Sequence, residues 1–126
     1  MSAPRWAQDL VLDVAIAEGR DDVPGLTWRK SMYPKSYGGQ WHVRGGYISV
    51  SIGARLPHQM ARIVILHELA HWLTPDDQFH SAAFWDTAWR LFRTYRVPPR
   101  MALANEGNYR VGARAAYKRQ AAEKKE

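Results

Sequence analysis

His67-Glu68-Leu69-Ala70-His71 lies inside an apolar run, residues 60–73, and the reading of that run decides how the rest of the chain must be arranged. On an α-helix two residues four apart leave the same face one turn from each other, so both imidazoles can converge on one metal ion. Glu68 projects about 100° round the helix from His67, badly placed to bind the same ion but well placed to reach a water beside it. This is the H-E-x-x-H zinc signature, whose spacing supplies two ligands and a base. Burying an imidazole or carboxylate without a partner costs on the order of a few kcal/mol, so a helix that only needed a filled core would carry leucine at these positions.

Working outward, Pro57 suits a first helical turn and Thr74-Pro75 stops the helix, which places it over residues 58–73. Its apolar side chains occupy every face: Met60, Ile63 and Val64 share the side of the two histidines, while Ile65, Leu66, Leu69 and Trp72 cover the others. A helix apolar all round is a buried one. Before it, residues 26–31, 40–44 and 46–52 read as short strands separated by turns. In the last of these, Ile48, Val50 and Ile52 alternate with Tyr47, Ser49 and Ser51, the period of two that marks a half-buried strand. Gly45-Gly46 is a two-residue hairpin signal, and three antiparallel strands are the simplest pairing. The strand over residues 46–52 is then a candidate edge for an extended peptide.

The flanks are helical. Trp6, Leu10, Val11, Val14 and Ala17 recur at helical spacing over residues 4–18, closed by Gly19, and Pro24-Gly25 suits a type II bend. Residues 80–95 form a second amphipathic helix, on which either Asp76 or Asp77 is a possible cap, with shorter helices over 99–106 and 111–125. The expected fold class is therefore α+β: one domain over residues 1–126, in which a small antiparallel or mixed sheet of about three strands packs on the H-E-x-x-H helix and further helices.

Composition narrows the chemistry. There is no cysteine, which removes disulfides, thiolate zinc ligands and thiol nucleophiles and is compatible with a cytoplasmic protein. No segment reaches the roughly 18–20 apolar residues of a membrane span. Of the net charge of +6, four units fall from Arg110 onward, where Arg110, Arg114, Lys118, Arg119, Lys124 and Lys125 face only Glu123 and Glu126. Such a basic helical tail, about residues 110–126, is a candidate for phosphate contacts through Arg114, Lys118 and Arg119, set against the plainer reading of a solvated helix.

A zinc hydrolase takes three protein ligands and keeps a position for water. His80 is the first choice for the third, because a tight turn at Thr74-Pro75 folds the next helix back with His80 and Phe84 on one side. Asp77 is the rival, at the spacing of the third ligand in the longer H-E-x-x-H-x-x-G-x-x-H/D pattern, although Thr74 stands where that pattern has glycine. Glu106, from a later helix, is the more distant option. For a donor to the oxyanion, Tyr109, Tyr95, Tyr37 and Arg110 are the candidates. His58 lies too far along the helix from His67 to share the ion, His42 reads as a strand-surface residue, and Asp86 as a solvated residue or a partner for a ligand imidazole.

The strand ending at Ile52, then His67-Glu68-Leu69-Ala70-His71, then His80-Ser81-Ala82-Ala83-Phe84 resembles the SprT-like and related small zincin metallohydrolases of bacteria and phages, including those of actinobacteria. The resemblance covers mainly residues 46–95, with Ser81 where that family has glycine. It implies a minimal zincin fold, Zn2+ on His67, His71 and His80, and Glu68 as the general base in hydrolysis of an amide by a zinc-activated water, on a protein or peptide substrate. Two other classes fit the same residues: a catalytically silent, zinc-stabilised binding module that docks on a host factor or DNA, and a zinc hydrolase of non-peptide substrates.

Overall fold

The computed structural model describes residues 3–32, 37–53, 57–75, 80–106 and 110–124. In chain order the elements are α1 (Arg5–Ala17), β1 (Gly25–Ser31), β2 (Tyr37–His42), β3 (Tyr47–Gly53), α2 (His58–Leu73), α3 (Ala82–Thr94), α4 (Pro99–Asn105) and α5 (Arg110–Lys124). The class is α+β, five helices with one three-stranded sheet. The chain divides into two compact units, Met1–Leu69 and Ala70–Glu126, with the division inside α2. Among the described residues no helix is long and apolar enough to cross a membrane.

In the first unit the strand order is β1-β3-β2, with β3 parallel to β1 and antiparallel to β2. The sheet is thus mixed, which corrects the expectation of three antiparallel strands. The cause lies in the connections. The turn over residues 43–46 closes with the Gly46 N–H donating to the His42 carbonyl at 2.9 Å, which locks β3 beside β2. β1 then joins the other side of β3, and β2 itself is part of the crossover between the two parallel strands. That turn spans four residues rather than the two expected, with only Gly46 at positive φ. Gly25 is not at positive φ either; it opens β1 rather than filling the third position of a type II bend.

Alternation decides what each face meets. Ile48 and Val50 are fully buried on the inner face, in register with Leu26 and Trp28 of β1 and with Trp41 and Gly39 of β2. α1 covers this face at β1, where Trp6 meets Trp28 edge-on with ring centroids 6.0 Å apart. α2 covers it at β2: a Cβ on Gly39 would lie 2.6 Å from Val64 Cγ1 and 3.3 Å from Glu68 Cγ. Only glycine permits that approach. The His58 ring lies tilted against Trp6, with centroids 4.0 Å apart.

In the second unit α3 packs on α5. Trp89 Nε1 donates to the Ala113 carbonyl at 2.7 Å, and a Cβ on Gly112 would come within 3.0 Å of Trp85 Nε1. Arg119 and Gln120 both donate to Asp86, Gln120 through the backbone carbonyl at 3.0 Å. Asp86 is thereby an acceptor for α5, and Arg119, a candidate phosphate contact, pairs with it within the unit while remaining exposed. Arg114 and Lys118 are exposed.

Both α1 and α3 end in the same hydrogen-bonded motif. Gly19 N–H donates to Ile16 and Arg20 N–H to Ala15; Arg96 N–H donates to Arg93 and Val97 N–H to Phe92. This six-to-one and five-to-two pattern needs a left-handed residue just past the helix. Gly19 supplies it at φ 66°, as its position after α1 led one to expect, and Arg96 supplies it at φ 59°.

Candidate metal centre

The bounds of α2 follow from the sequence, and with them the positions of His67 and His71, both half-buried on the same side of the helix. Glu68, one residue on, is only 8 % exposed. A carboxylate buried this deeply needs hydrogen-bond donors. One comes from the sheet: the Trp41 backbone N–H donates to Glu68 Oε1 at 3.0 Å. In the antiparallel pair with β3, alternate residues of β2 turn their backbone groups outward, and Trp41 is one of these. The free edge of β2 therefore meets the base.

His80 enters from the other direction. It was expected to begin the helix that follows; instead it precedes α3, which starts at Ala82 with Ser81 as its N-cap. His80 itself holds φ 58°, the left-handed region that a residue with a Cβ seldom occupies. The N-cap role falls to Ser81, while Asp76 and Asp77 lie outside the described residues. The consequence is local and large: His80 Nε2 lies 3.1 Å from His71 Nε2. Phe84, one turn into α3, supports both rings, stacking on His71 at 4.3 Å and meeting His80 edge-on at 4.7 Å. Trp85 lies beyond, 5.8 Å from His80.

Taken together, His67, His71 and His80 each offer a ring nitrogen, and the three atoms lie within 4.8 Å of one another. The fit to a metal can be tested on the donor set. A tetrahedral zinc with nitrogens at about 2.0–2.1 Å holds neighbouring ligand atoms roughly 3.3 Å apart. The 3.1 Å between His71 and His80 is close to that separation. Three imidazoles with no thiolate are a donor set that zinc accepts.

The other expected residues fall differently. Glu106, 3 % exposed at the C-cap of α4, accepts from Asn105 Nδ2 at 3.4 Å and is not part of the histidine group. Asp77 and Tyr109 lie outside the described residues, and Arg110 opens α5. Tyr95 caps the C-terminus of the 13-residue α3, so the length of that helix, about 20 Å, separates it from His80 and removes it as an oxyanion donor. Tyr37 opens β2 on the same sheet face as Gly39, four residues before Trp41, whose amide meets Glu68. Gly39 and Trp41 were not anticipated as site residues. The Gly38-Gly39 pair was the available signal; it falls between the strands expected over residues 26–31 and 40–44.

No family model matches the chain, and neither a curated protein nor a solved structure matches it.

Proposed function

We propose that this chain is a zinc-dependent metallohydrolase of minimal zincin type, most simply a peptidase of the SprT-like kind, working in the cytoplasm. The observation that carries this reading is the convergence of three imidazole nitrogens within 4.8 Å, with the Glu68 carboxylate on the residue next to the first of them. The left-handed backbone at His80 adds to it. Such strain costs on the order of 1–2 kcal/mol for a residue with a Cβ and gathers where function requires a particular side-chain placement.

When bound, zinc supplies Lewis acidity and a nucleophilic water near neutral pH. The chain's own residues do the rest. Glu68, oriented by the Trp41 amide, removes a proton from the attacking water as its oxygen joins the carbonyl carbon, and returns that proton to the leaving nitrogen as the C–N bond breaks. Phe84 fixes the planes of His71 and His80 by ring contact. Substrate alignment falls to β2. Because β3 is central and paired on both sides, it cannot be the peptide-binding edge expected for it; the outward backbone groups of Gly39 and Tyr37 on β2 are available in its place. Tyr37, the first residue of that strand, is the proposed donor to an oxyanion.

The test combines composition with turnover. Purified protein should contain one equivalent of zinc, and an anomalous-scattering map should place it on His67, His71 and His80. Against a panel of unfolded proteins, Glu68→Gln should keep the zinc and lose at least about a hundredfold in kcat, the contribution of a general base. Zinc bound with no hydrolysis by either protein would leave a binding module, and hydrolysis undiminished in Glu68→Gln would remove the mechanism.

A further inference from the structure

The sheet has a second face that the metal site does not use. Residues on it alternate with the buried ones: Arg29 and Thr27 from β1, Tyr47, Ser49 and Ser51 from β3, and Gln40 and His42 from β2. They line an open trough of about 920 Å³. Hydroxyl, amide and imidazole groups share its lining with Leu26, Trp28 and Val50, and it is partly ordered within itself. His42 Nε2 and Ser49 Oγ are 2.8 Å apart, and the His42 and Tyr47 rings stack at 4.2 Å with planes 13° apart. By register the ring pair stands at one end of the trough and Arg29 at the other, with Arg44 in the turn just beyond His42.

Charge is sorted around this face. The near balance of the chain before the C-terminal tail conceals a segment, residues 23–67, that holds six basic residues and no acidic one. The acidic residues of the first unit, apart from Glu68, sit on α1 and in the turn that follows it, at Asp9, Asp13, Glu18, Asp21 and Asp22. α1, which carries Asp9 and Asp13, packs on the inner face of the sheet through Trp6 and Trp28, away from the trough, while Asp22, before β1, is paired with Arg20. A surface cleared of carboxylates, with a cation at each end, fits a polyanion.

We propose that the outer face of the sheet binds single-stranded nucleic acid, with Arg29 and Arg44 on phosphates and the Tyr47–His42 ring pair as a stacking platform for a base. Aromatic rings distinguish this ligand from an acidic peptide, because every base presents a π-face and glutamate side chains do not. A base held in a duplex is stacked on its neighbours and closed to such a platform, which selects single strands. Gln40, Ser49 and Ser51 offer hydrogen bonds to base and sugar edges along the floor. Gly39 borders both this trough and Glu68, but the nucleic-acid contacts named here do not depend on the hydrolase reading.

The test is fluorescence anisotropy with a labelled 20-nucleotide oligo-dT and the full chain as purified, over a series of salt concentrations. Arg29→Glu/Arg44→Glu should weaken binding at least tenfold, with circular dichroism unchanged since both side chains are exposed. The neutral pair Arg29→Gln/Arg44→Gln should lower the slope of log K against log salt by about 1.4, at roughly 0.7 per lost phosphate contact on a single strand. Tyr47→Ala should weaken binding at least fivefold and Tyr47→Phe should restore it. Arg114→Glu/Lys118→Glu, on α5, should change affinity less than twofold. A polyglutamate peptide of equal charge should compete at least tenfold less well than unlabelled oligo-dT. Loss of binding in the α5 variant with retention in Arg29→Glu/Arg44→Glu would overturn the proposal, as would equal competition by polyglutamate.

Discussion

The backbone N–H of Trp41 donates to Glu68 Oε1 at 3.0 Å, so the carboxylate on the helix that carries His67 and His71 is held by an edge strand of the sheet. Two elements far apart in sequence thereby share one hydrogen bond at the proposed base. Its length depends on how closely β2 can lie on α2, and that separation is set at Gly39, where a methyl group would sit 2.6 Å from Val64 Cγ1.

Gly39→Ala should therefore act on stability and on the base together. Overpacking of a tight contact costs about 1–3 kcal/mol, and urea denaturation should report a loss in that range. Val64→Ala, made in the Gly39→Ala background, should return part of the loss, with a coupling of at least about 0.5 kcal/mol in the double-mutant cycle. Additive effects would show that the strand and helix do not meet at these two residues.

Among the described residues, the two left-handed ones other than glycine make different predictions. At Arg96 the conformation serves only to end α3, as Gly19 does for α1. Arg96→Gly should raise stability by about 1 kcal/mol, because glycine adopts positive φ without the Cβ penalty. A thermal scan showing no increase in Tm would mean that the arginine side chain makes a compensating contact.

At His80 the same conformation carries a proposed ligand. His80→Ala and His80→Gly should both lose metal affinity, measured by competition with a chromophoric chelator. In the metal-free proteins His80→Gly should be the more stable by about 1 kcal/mol, since alanine inherits the strain and glycine does not. Full zinc retention in both would move the third ligand elsewhere, Asp77 being the alternative of matching spacing.

How much of this was legible depends on which groups carry the information. α2 has the expected bounds because proline, the apolar run and Thr74-Pro75 are side-chain signals, and β3 declares itself by a period of two. His80 beside His71 and Phe84 followed from one short turn. The backbone carried the remainder. Nothing in the side chains of residues 26–31 separates a strand that runs parallel to β3 from one that runs antiparallel. Nor does a tryptophan at position 41 announce that its amide, rather than its indole, reaches the carboxylate of Glu68. His80 was placed correctly beside its partner but wrongly inside a helix, because histidine has no sequence signal for positive φ of the kind glycine gives.

The central position of β3 also constrains the order in which the chain can assemble. β1 and β2 are never neighbours; each finds its pairing partner only in residues 47–53. A chain emerging from the ribosome must carry both strands with their ladder amides on water until β3 is made. β3 then has to satisfy a hairpin partner close behind it and a partner as distant as Gly25, which meets Tyr47. The hairpin closes over the short turn at residues 43–46, and capture of β1 waits on the longer loop, whose closure entropy is greater.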